Sequence, residues 1–304
     1  MKLFSILLMC LSTTLSCQSI QKQNTVPLKI LRNKALVAVK ITDKIIPEIL
    51  IDTGFAFDGL MIYNPDYKDS LDLSEAREIL IGGAGSGDPS TALMLDSVDF
   101  SLGNVRMPAQ RLLVLNNEIY KGFPSNGIIG YSILGHYITE FNYDDNTLTL
   151  HKKDSLTLDR SWTSIPIYFK NNKIPWIDIS VVVKDEQPIP MSTYIDCAAG
   201  EAVVLLEKPG MKFQLPEKTT SLHLGRGLSG DIYGKQGRIS KLIIGPYELK
   251  NVNASFAAAE VRSKQDNADA VLGNAALTRF NVIFDYADQK LFIKPNLHFN
   301  EPFE

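Results

Sequence analysis

The sequence has few cysteines and histidines and little net charge, and each shortage excludes a class of protein. Of the three cysteines in 304 residues, Cys10 and Cys17 lie in or beside an N-terminal apolar segment. Only Cys197 lies outside that region and would keep a free thiol in an exported chain, so no intrachain disulfide could form. The four histidines have no metal-ligand spacing, and we expect neither a metal nor another cofactor. A net charge of -3 leaves no basic footprint for nucleic acid.

The N-terminus is typical of an exported, lipid-anchored protein. One lysine precedes an apolar run from Leu3 to Leu11, and small residues follow, as in a secretory signal. Thr14-Leu15-Ser16-Cys17 resembles the bacterial lipobox, although leucine usually stands where Thr14 does. We expect a signal peptide over residues 1–17, a lipidated Cys17 that anchors the chain to a bacterial membrane on its periplasmic or cell-surface side, and a polar linker over residues 18–25. Simple cleavage near Cys17 is the alternative.

The body of the chain contains an internal repeat with a nearly constant offset. Segments 127–152 and 270–295 align, with Gly130 and Gly273 lying 143 positions apart. The glycine-rich segments 82–88 and 225–231 repeat at the same offset. Asp52 lies 144 positions before Asp196, and each aspartate follows an apolar run. Three markers in the same order indicate a duplication.

The pattern favours an all-β chain of two tandem lobes. Short runs rich in Val, Ile, Tyr and Phe alternate with turn clusters, and the predicted strands include residues 36–41, 49–52, 165–169, 176–183 and 193–196. One short helix is expected in each lobe, within residues 131–137 and 274–280. We expect an N-terminal lobe over residues 26–152, a polar interlobe linker over residues 153–164 and a C-terminal lobe over residues 165–304.

Each half therefore carries a strand ending in aspartate, a glycine-rich hairpin, and an apolar-apolar-glycine motif before a short helix. With Asp52-Thr53-Gly54 in the first half, the chain resembles the retropepsin-like aspartic proteases, in a two-lobed form of the kind that bacteria export. The resemblance covers nearly everything from Leu28 to Pro295. It implies two β-barrel lobes, a catalytic pair of Asp52 and Asp196, a peptide or protein substrate, and a monomer in which both lobes build one site. It also implies flap hairpins around Gly82, Gly83, Gly85 and Gly87 in the first lobe and Gly225, Gly227 and Gly230 in the second.

The second aspartate motif departs from the family pattern. Asp196-Cys197-Ala198 stands where Asp-Thr-Gly or Asp-Ser-Gly is usual. Because a thiol is a weak donor, we expect Thr53 to brace the two loops from one side only. Ala198 keeps the amide donor of a glycine but excludes the glycine-only backbone regions, which would displace the carboxylate if the loop needs them. The alternative function is a catalytically weak or inactive peptide-binding lipoprotein.

The positions after the two motifs bear on the pH of activity. Pepsin-like members often carry a serine there, whose hydroxyl bonds the carboxylate and lowers its pKa. Phe55 and Ala199 provide no hydroxyl, so we expect activity at weakly acidic to neutral pH.

Two other patterns have weaker support. Residues 225–230 fit Gly-x-Gly-x-x-Gly, but the sequence after them reads as strand and turn, which argues against a dinucleotide site. Cys197 adjoins Asp196 and could be a nucleophile, but no histidine is near it in sequence, and a buried, inert cysteine is the favoured interpretation.

Overall fold

The computed structural model describes residues 24–303 except for residues 117, 119, 171, 185, 186, 263, 264 and 266. The predicted signal peptide with Cys17, and residues 18–23 of the predicted linker, lie outside the described residues. Among the residues described, no helix has the length and apolarity needed to cross a membrane.

The described residues form 22 strands and a few helical turns, which confirms the prediction of an all-β chain with two lobes. The first half has β1 Thr25–Pro27, β2 Lys29–Leu31, β3 Lys34–Ile41, β4 Lys44–Ile51, β5 Gly59–Ile62, β6 Arg77–Ile81, β7 Ser90–Leu102, β8 Val105–Leu115, β9 Gly127–Ile129, β10 Ile138–Asn142 and β11 Thr147–His151. The second half has β12 Thr163–Pro166, β13 Tyr168–Phe169, β14 Pro175–Val182, β15 Ile189–Asp196, β16 Val203–Glu207, β17 Thr219–Gly227, β18 Gly230–Ile244, β19 Tyr247–Ala258, β20 Ala270–Gly273, β21 Phe280–Asp285 and β22 Lys290–Pro295.

Two eight-stranded sheets contain most of these strands, and their strand orders match position by position. The first sheet runs β2-β3-β4-β9-β5-β8-β7-β6, and the second runs β13-β14-β15-β20-β16-β19-β18-β17. An extra pairing joins the second and seventh strands of each sheet, β3 with β7 and β14 with β18, so each sheet folds back on itself. The repeat in the sequence therefore corresponds to a repeat in the fold.

A third sheet of six strands joins the two halves. Its order, β1-β11-β10-β21-β22-β12, takes three strands from each half. The halves meet where β10 pairs with β21 in antiparallel fashion, with Phe141 opposite Val282. β1 begins at Thr25 and β12 at Thr163, so the last residues of both predicted linkers contribute to this sheet.

The middle of the shared sheet is fully buried in the core. Every residue of β21 is buried, including the polar Asn281 and Asp285. The rings of Phe141 and Phe284 meet edge to face with centroids 5.9 Å apart. Each fully buried apolar side chain of this kind stabilises the fold by about 1.5–3 kcal/mol. The junction between the halves is thus a packed base for the loops above it.

The prediction of one short helix per lobe is wrong in number. The described chain has α1 (Tyr131–Leu134), α2 (Ala259–Arg262) and α3 (Asn274–Leu277), and a 3-10 helix at Pro65–Ser70. Two of them, α1 and α3, are the predicted helices. The 3-10 helix follows Asn64, whose side chain accepts a hydrogen bond from the Asp66 amide at 3.0 Å, and starts on a proline. These start signals are present in the sequence, but six residues are too few to produce a helical period.

Candidate active site

The two predicted aspartates lie together between the halves. Asp52 follows β4 directly, and its amide donates to the Ile129 carbonyl at 2.9 Å. Asp196 is the last residue of β15, paired with Gly273 of the parallel strand β20. Because each aspartate ends a strand beside a parallel neighbour, both emerge at the same end of their sheets. The two carboxyl groups adjoin: a Cβ placed on Gly54 would lie 3.0 Å from Asp52 Oδ1 and 3.4 Å from the carboxyl carbon of Asp196.

Backbone amides hold each carboxyl group in its own loop. The Gly54 amide donates to Asp52 Oδ1 at 2.6 Å. The amides of Ala198 and Ala199 both donate to Asp196 Oδ1 at 3.1 Å. Neither Gly54 nor Ala198 has a positive φ, so the loop does not use the glycine-only backbone regions. The condition under which Ala198 would displace the carboxylate is therefore not met.

The brace between the loops is two-sided, so the prediction of a one-sided brace is wrong. Thr53 Oγ1 donates to the Ile195 carbonyl at 2.7 Å and accepts from the Cys197 amide at 3.0 Å. The sulfur of Cys197 mirrors this hydroxyl: it donates to the Ile51 carbonyl and accepts from the Thr53 amide, each at 3.2 Å. A thiol is weaker than a hydroxyl, but its longer bond to carbon lets it reach both partners.

Cys197 has the environment of a structural thiol. Its side chain is buried among the loops, and burial, followed by the charge of Asp52, raises its pKa far above the ordinary value. The thiol therefore keeps its proton, which it needs as a donor to Ile51. A thiol held protonated is a poor nucleophile, which agrees with the interpretation of Cys197 as inert.

Asp52 holds a proton more strongly than an ordinary carboxyl group. Burial raises its pKa well above the usual value, and the charge of Asp196 and the hydrogen bond to it raise it further. The Gly54 amide and the charge of Lys34 act in the opposite direction. Lys34 belongs to β3 in the first half, and its ammonium group donates to the Ala198 carbonyl of the second.

An arginine that the sequence analysis missed contacts the pair. Arg262 Nη2 donates to Asp196 Oδ2 at 3.2 Å, and the residue is only 8% exposed. It ends α2, the short helix that the sequence analysis did not predict. The offset of 143 relates Arg262 to Ile119, so the duplication gave no indication of a charge here.

The two glycine-rich segments are at the tips of hairpins that touch each other. The first flap is the β6–β7 hairpin with tip residues 82–89, and the second flap is the β17–β18 hairpin with Leu228 and Ser229 at its tip. The Ser229 amide donates to the Ala84 carbonyl at 2.9 Å, and the Gly87 amide donates to the Ser229 carbonyl at 2.6 Å.

Glycine is needed at these tips for close approach. A Cβ on Gly85, where φ is +115°, would lie 2.3 Å from the Ser229 carbonyl carbon. A Cβ on Gly227 would lie 2.2 Å from the Ala84 carbonyl oxygen. Of the other predicted glycines, Gly82, Gly83 and Gly87 lie in the first tip, Gly230 begins β18 beside the second tip, and Gly225 lies within β17, opposite Ile232.

The aspartates and the flaps line a cleft that is part of a cavity of about 1620 Å³, which also reaches Asn146 and Phe303. Its wall in the first half is aromatic, with the rings of Tyr63 and Tyr120 4.6 Å apart and those of Tyr120 and Phe123 5.3 Å apart. Phe55 and Phe57 line the same cleft. Apolar and aromatic walls around a few polar groups are typical of a ligand site.

Within the described residues, no group of three or more His, Cys, Asp or Glu side chains is arranged to hold a metal ion. No protein-family model and no curated protein matches this chain. The resemblance to retropepsin-like proteases therefore stays a prediction, and the site must be interpreted from its own geometry.

Proposed function

We propose that this chain is an aspartic endopeptidase with two retropepsin-like barrel lobes, in which Asp52 and Asp196 activate a water to hydrolyse peptide bonds. The observation that carries the proposal is the pair of braced loops. Each half contributes one aspartate, and the hydrogen bonds of Thr53 and Cys197 tie the loops so that the two carboxyl groups lie side by side in the cleft. Two carboxyl groups this close cannot both ionise, so they share one proton.

The shared proton provides both halves of the chemistry without a cofactor. The ionised carboxylate removes a proton from the water as its oxygen attacks the scissile carbonyl carbon, and the neutral carboxyl group gives its proton to the carbonyl oxygen. The tetrahedral intermediate then collapses: one of its hydroxyl groups returns a proton to the pair, and the pair gives a proton to the leaving nitrogen. The pair ends as it began, with one proton.

The walls of the cleft indicate an extended peptide with apolar side chains as the substrate. Within the described chain, β6 and β17 end their sheets, so each flap has an edge whose backbone groups can pair with an added strand. The aromatic wall of Tyr63, Tyr120 and Phe123 would accept an apolar side chain on the side of the first lobe. The substrate class is therefore a peptide or an unfolded protein segment.

The proposal includes export and lipid attachment at Cys17. Both aspartates come from one chain, so a monomer is sufficient for the site. Incorporation of a radiolabelled fatty acid by the bacterial host, and its loss in Cys17→Ser, would test the anchor independently of any activity. Equal labelling of both proteins would refute lipidation at Cys17.

The test of the activity is peptide cleavage. The purified full-length chain would be incubated with a diverse peptide pool from about pH 3 to about pH 8, and products would be identified by mass spectrometry. Asp52→Asn and Asp196→Asn keep the side-chain shape but cannot exchange protons. Asp58→Asn is a matched control, because Asp58 is a nearby aspartate that pairs with His136 and Lys173 instead.

Each outcome has a distinct meaning. Cleavage that is lost in both dyad variants and kept in Asp58→Asn supports the proposal. Loss with Asp52→Asn alone would refute a two-carboxylate mechanism. A folded protein that cleaves nothing at any pH would refute the enzyme and favour the peptide-binding lipoprotein.

A further inference from the structure

We propose that Arg262 is a positioning residue that holds the negative charge on Asp196 and thereby leaves the shared proton on Asp52. This inference rests on the proposed function, because it assigns the base and the acid within that carboxyl pair. From sequence alone the two aspartates are equivalent partners, so neither role could be assigned. The asymmetry comes from the surroundings of the pair.

The hydrogen bonds around the two carboxyl groups are unequal. Asp196 accepts from Ala198, Ala199 and Arg262, at 3.1, 3.1 and 3.2 Å. Asp52 accepts a backbone hydrogen bond from Gly54. Hydrogen bonds to a carboxylate favour its ionised form. By this measure the negative charge belongs on Asp196.

The charge of Arg262 acts in the same direction. Its guanidinium stays protonated in proteins, and the side chains of Arg262 and Asp196 are 9% and 14% exposed. Water therefore screens this ion pair little. An uncompensated buried charge is costly, so breaking such a pair destabilises strongly, and the arginine and the carboxylate require each other.

Other titratable groups face the pair and do not reverse this assignment. Lys34 favours ionisation of Asp52, but its effect is smaller than those of burial and of Asp196. Tyr194 and Glu201 face Arg262 and help to hold its pKa above the usual value in spite of burial. The remaining neighbours of Asp52 are groups whose own pKa values are raised and which are uncharged near neutral pH: Tyr63, Tyr120, Cys197 and Tyr286.

The position of Arg262 depends on both halves of the chain. It ends α2, and the preceding carbonyl, that of Val261, accepts a hydrogen bond from the Gly85 amide of the first flap at 2.9 Å. The first flap therefore contacts the segment that carries the arginine when the tips are together.

With this assignment each proton in the reaction has a defined path. Asp196 takes a proton from the water as the oxygen bonds to the carbonyl carbon, and Asp52 gives its proton to the carbonyl oxygen. On collapse, the intermediate returns a proton to Asp52, the carbon–nitrogen bond breaks, and Asp196 gives its proton to the leaving nitrogen. Both groups return to their initial protonation states.

The test compares Arg262→Met, which removes the charge, with Arg262→Lys, which keeps it. Arg279→Met is the control for losing a buried arginine, because Arg279 is also 8% exposed but bonds the carbonyls of His298 and Pro302. We expect Arg262→Met to lower kcat/KM about 10- to 100-fold and to move the acidic limb of the pH–rate profile to higher pH, because a nearby positive charge favours the ionised carboxylate. Arg262→Lys should restore much of both, and Arg279→Met should not move the limb.

A second readout does not need activity. Carbon-13 NMR of aspartate labelled at the carboxyl carbon would follow Asp52 and Asp196, with signals assigned by their loss in the two asparagine variants. In the wild type the Asp196 signal should remain that of a carboxylate to lower pH than in Arg262→Met. If neither the wild type nor any variant cleaves peptide, this NMR readout still decides the role of Arg262. Failure of the inference about Arg262 is therefore distinguishable from failure of the proposed function.

Two results would overturn the proposal. One is a folded Arg262→Met with the Asp196 titration and the acidic limb unchanged. The other is an Arg262→Met that is more active than the wild type, which would make Arg262 an inhibitory contact. If Arg262→Met does not fold, Arg262→Lys decides the matter, since a lysine that fails to keep Asp196 ionised would contradict the charge argument.

Discussion

The brace between the two aspartate loops should be a main source of stability at the junction of the halves. Thr53→Val removes the hydroxyl while keeping nearly the same side-chain volume. It would leave the Ile195 carbonyl without the bond at 2.7 Å and the Cys197 amide without the bond at 3.0 Å. Thr53 is 2% exposed, so water cannot easily replace either partner. The cost should be about 1–3 kcal/mol for each orphaned group, or roughly 2–6 kcal/mol in total.

Scanning calorimetry would measure this loss. For a chain of this size each kcal/mol lowers Tm by about 2–4 °C, so Thr53→Val should melt roughly 5–20 °C below the wild type. Thr193→Val is the matched control: Thr193 is fully buried in β15, but its hydroxyl bonds the Met191 carbonyl two residues away at 3.3 Å. Cys197→Ala should fall between the two, because its two sulfur bonds are weaker. A Tm for Thr53→Val no lower than that for Thr193→Val would refute the brace.

Three further predictions concern the carboxyl pair and the flaps. The pKa of Asp52 is raised in the folded state, so its protonation stabilises the fold fully below the ordinary carboxyl range, and this stabilisation is lost as pH rises through the folded-state pKa. The Tm of Asp52→Asn should therefore exceed that of the wild type by an amount that grows from about pH 4 upward. A difference in Tm that stays constant with pH in calorimetry would contradict this. Gly85→Ala should strain the first flap by about 1–3 kcal/mol and speed amide exchange at Ser229 tenfold or more; unchanged exchange would show that the tips are not held by this contact. Ala198→Gly should lower stability by about 0.4–1 kcal/mol and keep kcat/KM within about threefold, since the loop uses ordinary backbone angles; a large gain in activity would mean that the alanine does distort the site.

The repeat in the sequence predicted the part of the fold that lies within each half. Equal offsets place equivalent residues at equivalent positions, so Asp52 and Asp196, and the two glycine-rich segments, could be assigned to matching strands and hairpins. The matching strand orders of the two large sheets agree with that reasoning. Short helices were harder to predict, because a segment of six residues such as Pro65–Ser70 is too short to show a helical period.

Contacts between the halves could not be predicted in the same way. The pairing of β10 with β21, the bond of Lys34 to Ala198 and the ion pair of Arg262 with Asp196 each join residues that are far apart in sequence. No local pattern marks such partners, and an offset compares one half with the other without showing where they touch. The sulfur brace does not follow from donor strength, because a thiol is a weak donor, and only the folded structure shows that the sulfur reaches both the Ile51 carbonyl and the Thr53 amide.

In the proposed mechanism, divergence between the halves provides an asymmetry that duplication alone cannot. Two identical halves related by a twofold axis would offer the proton the same surroundings on either side. In this chain the first half keeps a glycine beside Asp52 and an aromatic wall, while the second half adds an arginine and a second amide at Asp196. These differences lie outside the brace, which stays reciprocal despite the change from hydroxyl to thiol. The fold therefore preserves the symmetric part that holds the carboxyl groups together, and the unequal neighbours decide which of the two carries the charge.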